Sequence, residues 1–115
     1  MEKINLNQKL YNEFGKDVIQ NGKPAVTLRD AITNSILTFT QKDDDKKKYQ
    51  KYELFKKVIK EEEFIELSSA EKVMIEESLG AVQPPLIYGQ CLDMLEGKFD
   101  PKPFELLRKR EEKAK

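Results

Sequence analysis

The sequence contains no histidine and only one cysteine, and these two shortages exclude several kinds of site. Histidine is the commonest general base and the commonest zinc ligand, so its absence removes the usual centre of acid–base catalysis. With a single cysteine and no histidine, a structural zinc site is excluded as well. Cys91 has no partner for an intrachain disulfide, which favours a reducing compartment, and its apolar surroundings in the sequence predict a buried, inert thiol.

Glycine and long apolar runs are also scarce. The five glycines lie at predicted turns and helix ends, apart from Gly89, and none belongs to a phosphate-binding loop or a dinucleotide fingerprint. Gly89 inside a helix suggests a close approach between helices.

The apolar runs are only a few residues long and no secretory signal precedes them, so we expect no membrane span and a cytoplasmic location. Together these absences predict a protein that is not an enzyme and holds no cofactor or metal.

Charged residues, in contrast, are abundant and balanced. The 115 residues, one domain's worth, contain 21 Lys or Arg and 21 Asp or Glu. Residues 1–57 carry 12 basic and 8 acidic side chains, whereas residues 58–115 carry 9 basic and 13 acidic ones. A general attraction to nucleic acid or to an anionic membrane is therefore not expected, and the two halves can complement each other or a second copy.

Residues 1–26 predict a small β-hairpin or meander rather than a helix. We expect a strand near residues 4–12, a tight turn at Gly15-Lys16-Asp17 and a short strand near residues 17–20, with a further turn at Asn21-Gly22-Lys23. An isolated hairpin is marginal in water, so this region should pack on the helices that follow.

The first half of residues 27–97, the predicted helical core, contains two helices. Thr27 is a suitable N-cap for a helix that runs to about Gln41, with a single buried stripe over residues 28–39. The three acids and three bases of residues 43–48 lack the alternating ligands of a calcium loop and instead open a second helix, which ends near Glu62. Its apolar side is predicted to hold the following residues: Tyr49, Tyr52, Phe55, Val58 and Ile59.

The second half of the helical core contains two more helices after a short extended link at residues 64–67. Ser68 and Glu71 match a capping box for the third helix, whose predicted apolar face includes Val73, and Gly80 is the expected left-handed terminator. Pro84-Pro85 begins a fourth helix, which Gly97 ends.

The fourth helix is apolar over most of its circumference, more than a small bundle usually buries. We therefore predict that it is central or faces another subunit. The candidate protein interface consists of five of its residues: Leu86, Ile87, Tyr88, Leu92 and Met94.

Lysine-rich segments support an alternative, a nucleic-acid-associated regulatory protein. Candidate contacts lie on the second helix and in the charged C-terminal helix or tail of residues 98–115, and Tyr49 and Tyr52 are placed to stack on bases. These candidate contacts are Lys46, Lys47, Lys48, Lys51, Lys56, Lys57, Arg108, Lys109 and Arg110. A third possibility is a protein that sequesters a small ligand.

Four segments resemble those of small, mostly uncharacterised accessory proteins of tailed phages and prophages. They are Val26-Thr27-Leu28-Arg29-Asp30-Ala31-Ile32, Lys51-Tyr52-Glu53-Leu54-Phe55, Ile65-Glu66-Leu67-Ser68 and Pro85-Leu86-Ile87-Tyr88-Gly89-Gln90. The resemblance covers about residues 4–97 and carries no catalytic residues. It implies a protein that works through protein contacts inside the infected bacterium.

The sequence thus predicts a mainly α, compact four-helix domain with a short N-terminal β-hairpin and a charged C-terminal helix. The favoured function is an assembly or accessory role of a phage or prophage protein, exerted through contacts with itself or with another phage or host protein.

Overall fold

The computed structural model describes residues 3–18, 26–38 and 40–113, and over these ranges the protein is mainly α-helical, as predicted. The described residues form five helices: the four of the predicted helical core and a fifth where a charged C-terminal helix or tail was predicted. The helices are α1 (Leu28–Leu37), α2 (Asp45–Lys60), α3 (Ser69–Val82), α4 (Pro85–Leu95) and α5 (Lys102–Lys113), and two short strands are β1 (Lys3–Asn5) and β2 (Phe64–Glu66).

Strand β1 pairs with β2 and not with the residues that follow it. The pairing is antiparallel with Ile4 opposite Ile65, and both side chains are buried, whereas Lys3, Phe64 and Glu66 beside them are exposed. The backbone N–H of Leu6 extends the contact by donating to the carbonyl of Glu63 at 2.7 Å. The predicted strand near residues 4–12 is therefore shorter than expected, and the link predicted at residues 64–67 supplies its partner because each segment turns one apolar side chain to the same side.

The predicted turn at Gly15-Lys16-Asp17 is confirmed. The backbone N–H of Asn12 donates to the carbonyl of Lys16 at 2.8 Å, Gly15 has φ of 75°, and an isolated antiparallel bridge joins Tyr11 to Asp17. Only part of the strand predicted near residues 17–20 lies within the described residues, and the turn predicted at residues 21–23 lies outside them.

Helix α1 is the central element and contacts α2, α3 and α4. Its predicted stripe is confirmed over the following buried residues: Leu28, Ala31, Ile32, Ser35 and Ile36. The helix ends at Leu37 rather than near Gln41 because Thr38 takes an extended backbone with ψ of 129°. The chain after it turns toward α2.

Three of the predicted helix caps and stops are confirmed, and the predicted stop at Gly80 is wrong. Thr27 and Ser68 each cap a helix within a capping box, and Gly97 ends α4 with φ of 74°. Gly80 does not terminate α3, which continues in helical conformation to Val82. A Cβ placed at Gly80 would lie 3.3 Å from the ring of Tyr88, so glycine serves there to admit that ring from α4.

The buried face of α2 differs from the predicted one. Leu54, Val58 and Lys51 are buried, whereas Tyr49, Tyr52 and Ile59 are exposed. The aliphatic pair Leu54 and Val58, one turn apart, faces α1 and rotates the tyrosines away from the core. Helix α3 shows the same effect.

In α3, Val73 is exposed although the sequence placed it on the apolar face, whereas Ile75 is fully buried. Leu79, one turn after Ile75, is also fully buried, so this pair defines the core-facing side.

Two polar side chains join distant parts of the chain. The guanidinium of Arg29 donates to the carbonyls of Val58 at 2.6 Å and Glu62 at 2.8 Å, which satisfies free carbonyls at the end of α2. The buried amide of Gln90 accepts from the backbone N–H of Tyr11 and donates to its carbonyl, each at 2.8 Å. These bonds anchor α1 to α2 and the N-terminal segment to α4.

Helix α5 has no buried residue and rests on the N-terminal turn through aromatic stacking. The ring of Phe104 lies 5.2 Å from that of Tyr11 and 6.1 Å from that of Phe99. Among the described helices, none combines the length and the apolar character that crossing a bilayer requires.

Candidate contact surfaces on helix α2

Helix α2 presents a row of large side chains on the side that faces away from the core. We call this row the outer face; it consists of Tyr49, Tyr52, Lys56 and Ile59. The spacing of three, four and three residues places these positions on one side of a helix, roughly 150° around from the centre of the buried face. Tyr49 is 62% exposed, Tyr52 49% and Ile59 57%.

Polar contacts along the helix hold the outer face in place. The Lys56 ammonium lies 4.8 Å from the ring centre of Tyr52 and 3.1 Å from the Glu53 carboxylate. A hydrogen bond with Glu53 raises the pKa of the Tyr49 hydroxyl, and the same bond, aided by Lys56, lowers the pKa of Glu53. The outer face therefore combines aromatic surface with a charge that is already paired.

The opposite edge of α2 faces α3 across an open groove that two ion pairs bridge. Lys47 lies 3.6 Å from Glu77, and Lys57 lies 2.8 Å from Glu71. Burial alone raises the pKa of Glu71, but hydrogen bonds from Lys57 and Ser68 outweigh it and leave the pKa lowered. These pairs link the two helices across the groove.

At one end of the groove, a cavity of about 890 Å³ lies over a buried ion pair. The Lys51 ammonium lies 2.6 Å from a carboxylate oxygen of Asp43, and the two side chains are only 9% and 10% exposed. The hydrogen bond from Lys51 lowers the pKa of Asp43. Because Asp43 precedes α2 in the loop that leaves α1, the pair ties that loop to the middle of α2.

Among the described residues, no three His, Cys, Asp or Glu side chains lie together in a way that would hold a metal ion. Cys91 is fully buried, and burial raises the pKa of its thiol to about 12. This burial is the one predicted from its apolar surroundings.

The structure places the predicted interface residues of α4 mostly within the fold. Met94 is buried, so it offers no surface to a partner. Leu86 and Leu92 are half-buried, and Ile87 and Tyr88 pack against the core. Gly89 marks no close approach, since a Cβ built there would meet nothing within 4 Å. A role for the four half-buried residues in binding stays a prediction.

The lysines predicted to contact nucleic acid fall into different environments. Lys46, Lys48 and Lys56 are exposed, and Lys57 is half-buried in its pair with Glu71. Lys47 is half-buried beside Glu77. Lys51 is buried against Asp43, so it cannot contact nucleic acid in this conformation.

The basic cluster of α5, Arg108-Lys109-Arg110, is exposed throughout.

The outer face was not predicted as a protein contact surface because Tyr49, Tyr52 and Ile59 were assigned to the apolar side of the helix. The sequence contained a signal for the correct buried side: Leu54 and Val58, together with Lys51, form a buried face that includes no tyrosine. A helix with two apolar sides cannot bury both against a single layer of neighbours.

Comparison of this chain with protein-family models, with curated proteins and with solved structures found no match in any of the three.

Proposed function

We propose that this chain is a non-enzymatic protein that acts through protein–protein contacts, in an assembly or accessory role of a phage or prophage inside the bacterial cell. The observation that supports this proposal best is the outer face of α2, on which Tyr49, Tyr52 and Ile59 are each about half exposed or more. Aromatic residues are enriched at protein interfaces and in their energetic centres. The resemblance of four segments to phage accessory proteins supplies the biological setting.

The proposal is tested by two variants that remove equal numbers of exposed apolar side chains. Tyr49→Gln with Ile59→Gln alters the outer face, and Leu37→Gln with Leu106→Gln alters exposed positions elsewhere, which are 52% and 50% exposed. Each protein carries an affinity tag and is co-expressed in bacteria with an untagged copy of itself. Quantitative mass spectrometry then measures the proteins retained on the tag, including the second copy.

We expect the wild type and the Leu37/Leu106 variant to retain the same protein and the Tyr49/Ile59 variant to lose most of it. Equal retention by all three proteins, or retention of nothing by the wild type, would contradict the proposal.

A second candidate function, binding of single-stranded nucleic acid, is favoured by the same tyrosines. Their rings are exposed beside Lys46, Lys48 and Lys56, and aromatic rings interleaved with lysines form stacking platforms. A gel shift with single-stranded DNA and RNA at low salt measures this binding. A gel shift that Tyr49→Gln abolishes would support nucleic-acid binding, and the absence of any shift would exclude this function.

A further inference from the structure

We propose that helix α5 is a strap that opens as a unit while helices α1–α4 stay folded. Its opening uncovers an aromatic surface formed by the rings of Tyr11 and Phe99. This movement is independent of the proposed function, since neither ring belongs to α2. Three features of the structure carry the inference: the weak attachment of α5, the division of the aromatic stack, and the point at which the chain can bend.

Helix α5 is attached to the other helices by few contacts. It contains no buried residue, and it belongs to none of the closely packed pairs of helices and strands in the described part of the chain. Among the described residues, no hydrogen bond or salt bridge joins residues 102–113 to a residue before Asp100. The attachment therefore depends mainly on the stacked ring of Phe104 and on the turn at Gly15.

The aromatic stack is divided between α5 and the remainder of the fold. The rings of Tyr11, Phe99 and Phe104 are stacked, with no two ring centres more than 6.3 Å apart. Gln90 holds Tyr11 through both of its backbone groups, and Phe99 packs against the core. Only Phe104 belongs to α5, so its departure leaves the other two rings in place and more exposed.

The turn at Gly15 positions α5 without bonding to it. A Cβ at Gly15 would lie 1.9 Å from the carbonyl oxygen of Phe104 and 2.9 Å from the backbone nitrogen of Arg108. The helix backbone thus lies directly on the glycine. Such atom-to-atom contacts contribute little individually, so the turn guides the helix into place but adds little resistance to opening.

The chain can bend between Phe99 and Asp100. Before this point, the N–H of Lys98 donates to an α4 carbonyl at 2.9 Å. After it, the hydrogen bonds of the described residues are internal to the strap: the Asp100 carboxylate accepts from the N–H of Lys102 at 3.0 Å, and the carbonyl of Pro101 accepts from two N–H groups of the first turn. Bending at this point therefore breaks none of these bonds.

Opening of the strap can be followed through the amide hydrogens of α5. A helix of 12 residues is marginal in water without a surface to pack on, so a detached α5 loses its hydrogen bonds and its amides exchange with solvent. Helices α1–α4 share one core, and their amides exchange only when that core opens.

The test measures amide hydrogen exchange of the full-length protein, residue by residue, by nuclear magnetic resonance in increasing, subdenaturing urea. Phe104→Ala removes the ring that α5 adds to the stack, and Gly15→Ala displaces the helix from the opposite side of the contact. The control is Leu106→Ala, which truncates a side chain of α5 that is 50% exposed and lies outside the stack.

We expect the α5 amides of the wild type to exchange ~100-fold faster than those of α1 and α3, with a weaker dependence on urea because opening exposes little surface. Phe104→Ala and Gly15→Ala should each accelerate exchange over residues 106–110 by about tenfold and leave α1 and α3 unchanged. Leu106→Ala should exchange like the wild type.

The inference would be overturned if the α5 amides exchanged at the rate and with the urea dependence of α1 and α3. Unprotected α5 amides in the wild type would overturn it too, because no closed strap would then exist. So would a Phe104→Ala variant that leaves residues 106–110 unchanged or accelerates α1 and α3 equally, or a control that accelerates α5 as much as Phe104→Ala. None of these outcomes bears on the proposed function of α2.

Discussion

Replacing Lys51 with methionine tests the energetic importance of the buried ion pair with Asp43. The Lys51 ammonium lies 2.6 Å from the carboxylate, and both side chains are about nine-tenths buried. Methionine retains most of the aliphatic length of lysine, so packing beside Leu54 changes little. Asp43 keeps its hydrogen bond with Thr40 but loses the partner that contributes most to its lowered pKa.

The expected magnitude lies between the values for fully buried and fully exposed ion pairs. Removing one partner of a fully buried pair costs about 3–5 kcal/mol, whereas an exposed pair contributes about 0–1 kcal/mol. The pair lies beside an open cavity, so water reaches the abandoned carboxylate and reduces the cost. We expect Lys51→Met to lower the free energy of unfolding by about 2 kcal/mol.

Urea denaturation followed by circular dichroism measures the effect, and a double variant provides the control. Lys51→Met combined with Asp43→Asn leaves no buried charge, so we expect it to be more stable than Lys51→Met alone. A loss below about 0.5 kcal/mol for Lys51→Met, the usual range for surface substitutions, would refute the reasoning. A double variant no more stable than the single one would refute it as well.

The pH dependence of stability offers a separate check on the same pair. The pKa of Asp43 is lowered in the folded protein from its ordinary value of 3.8. The stabilisation from the Asp43–Lys51 pair is therefore fully present above pH 3.8. It is lost as the pH falls through the pKa of Asp43 in the folded protein, because Asp43 in the unfolded chain binds a proton at a higher pH. The Asp43→Asn variant should lack this component of the acid-induced loss of stability.

Other substitutions test the turn, the fourth helix, the thiol and a cap. Gly15→Ala should loosen α5 and expose it to proteolysis, because φ is 75° at Gly15 and a Cβ there would lie 1.9 Å from the carbonyl oxygen of Phe104. The control is Gly89→Ala, whose Cβ fills open space. This substitution should stabilise the protein by about 0.5–1 kcal/mol in urea denaturation, because alanine favours the α4 helix. The Cys91 thiol, with its pKa raised to about 12 by burial, should react with a thiol reagent at pH 8 only after denaturant is added, and rapid native labelling would contradict this. Ser68→Ala should cost about 1 kcal/mol of stability in thermal unfolding, because the cap on the backbone N–H of Glu71 is lost.

The parts of the fold that sequence predicts well are those set by local chemistry. Thr27, Ser68 and Gly97 each act on backbone groups within a few residues, so their caps and stops are visible in the sequence. The stripe of α1 is equally clear because this central helix buries a single side.

The errors occur where distant residues decide the outcome. The partner of β1 lies about sixty residues away, at β2, and no local pattern shows which extended segment it meets. Gly80 has the chemistry of a helix terminator, but α3 continues to Val82, and the ring of Tyr88 from another helix lies close to the position that a side chain would occupy.

The exposure of the candidate surfaces likewise depends on distant residues. The breadth of apolar residues on α4 predicted a helix that is central or faces another subunit, and the neighbouring α1, α3 and β1 cover much of it. In α2, the short aliphatic pair Leu54 and Val58 occupies the core and leaves the larger tyrosines in solvent. A helix with two apolar sides buries the side that fits its neighbours. The sequence of the helix alone does not show the shape of those neighbours.

The central claim, that the α2 outer face is a protein contact surface, is tested most directly by measuring the proteins that the tagged wild type retains in bacteria, a second copy included. The account predicts that the variant with Tyr49→Gln and Ile59→Gln loses most of the retained protein, whereas the variant with Leu37→Gln and Leu106→Gln keeps it. Equal retention by all three proteins, or retention of nothing by the wild type, would contradict it.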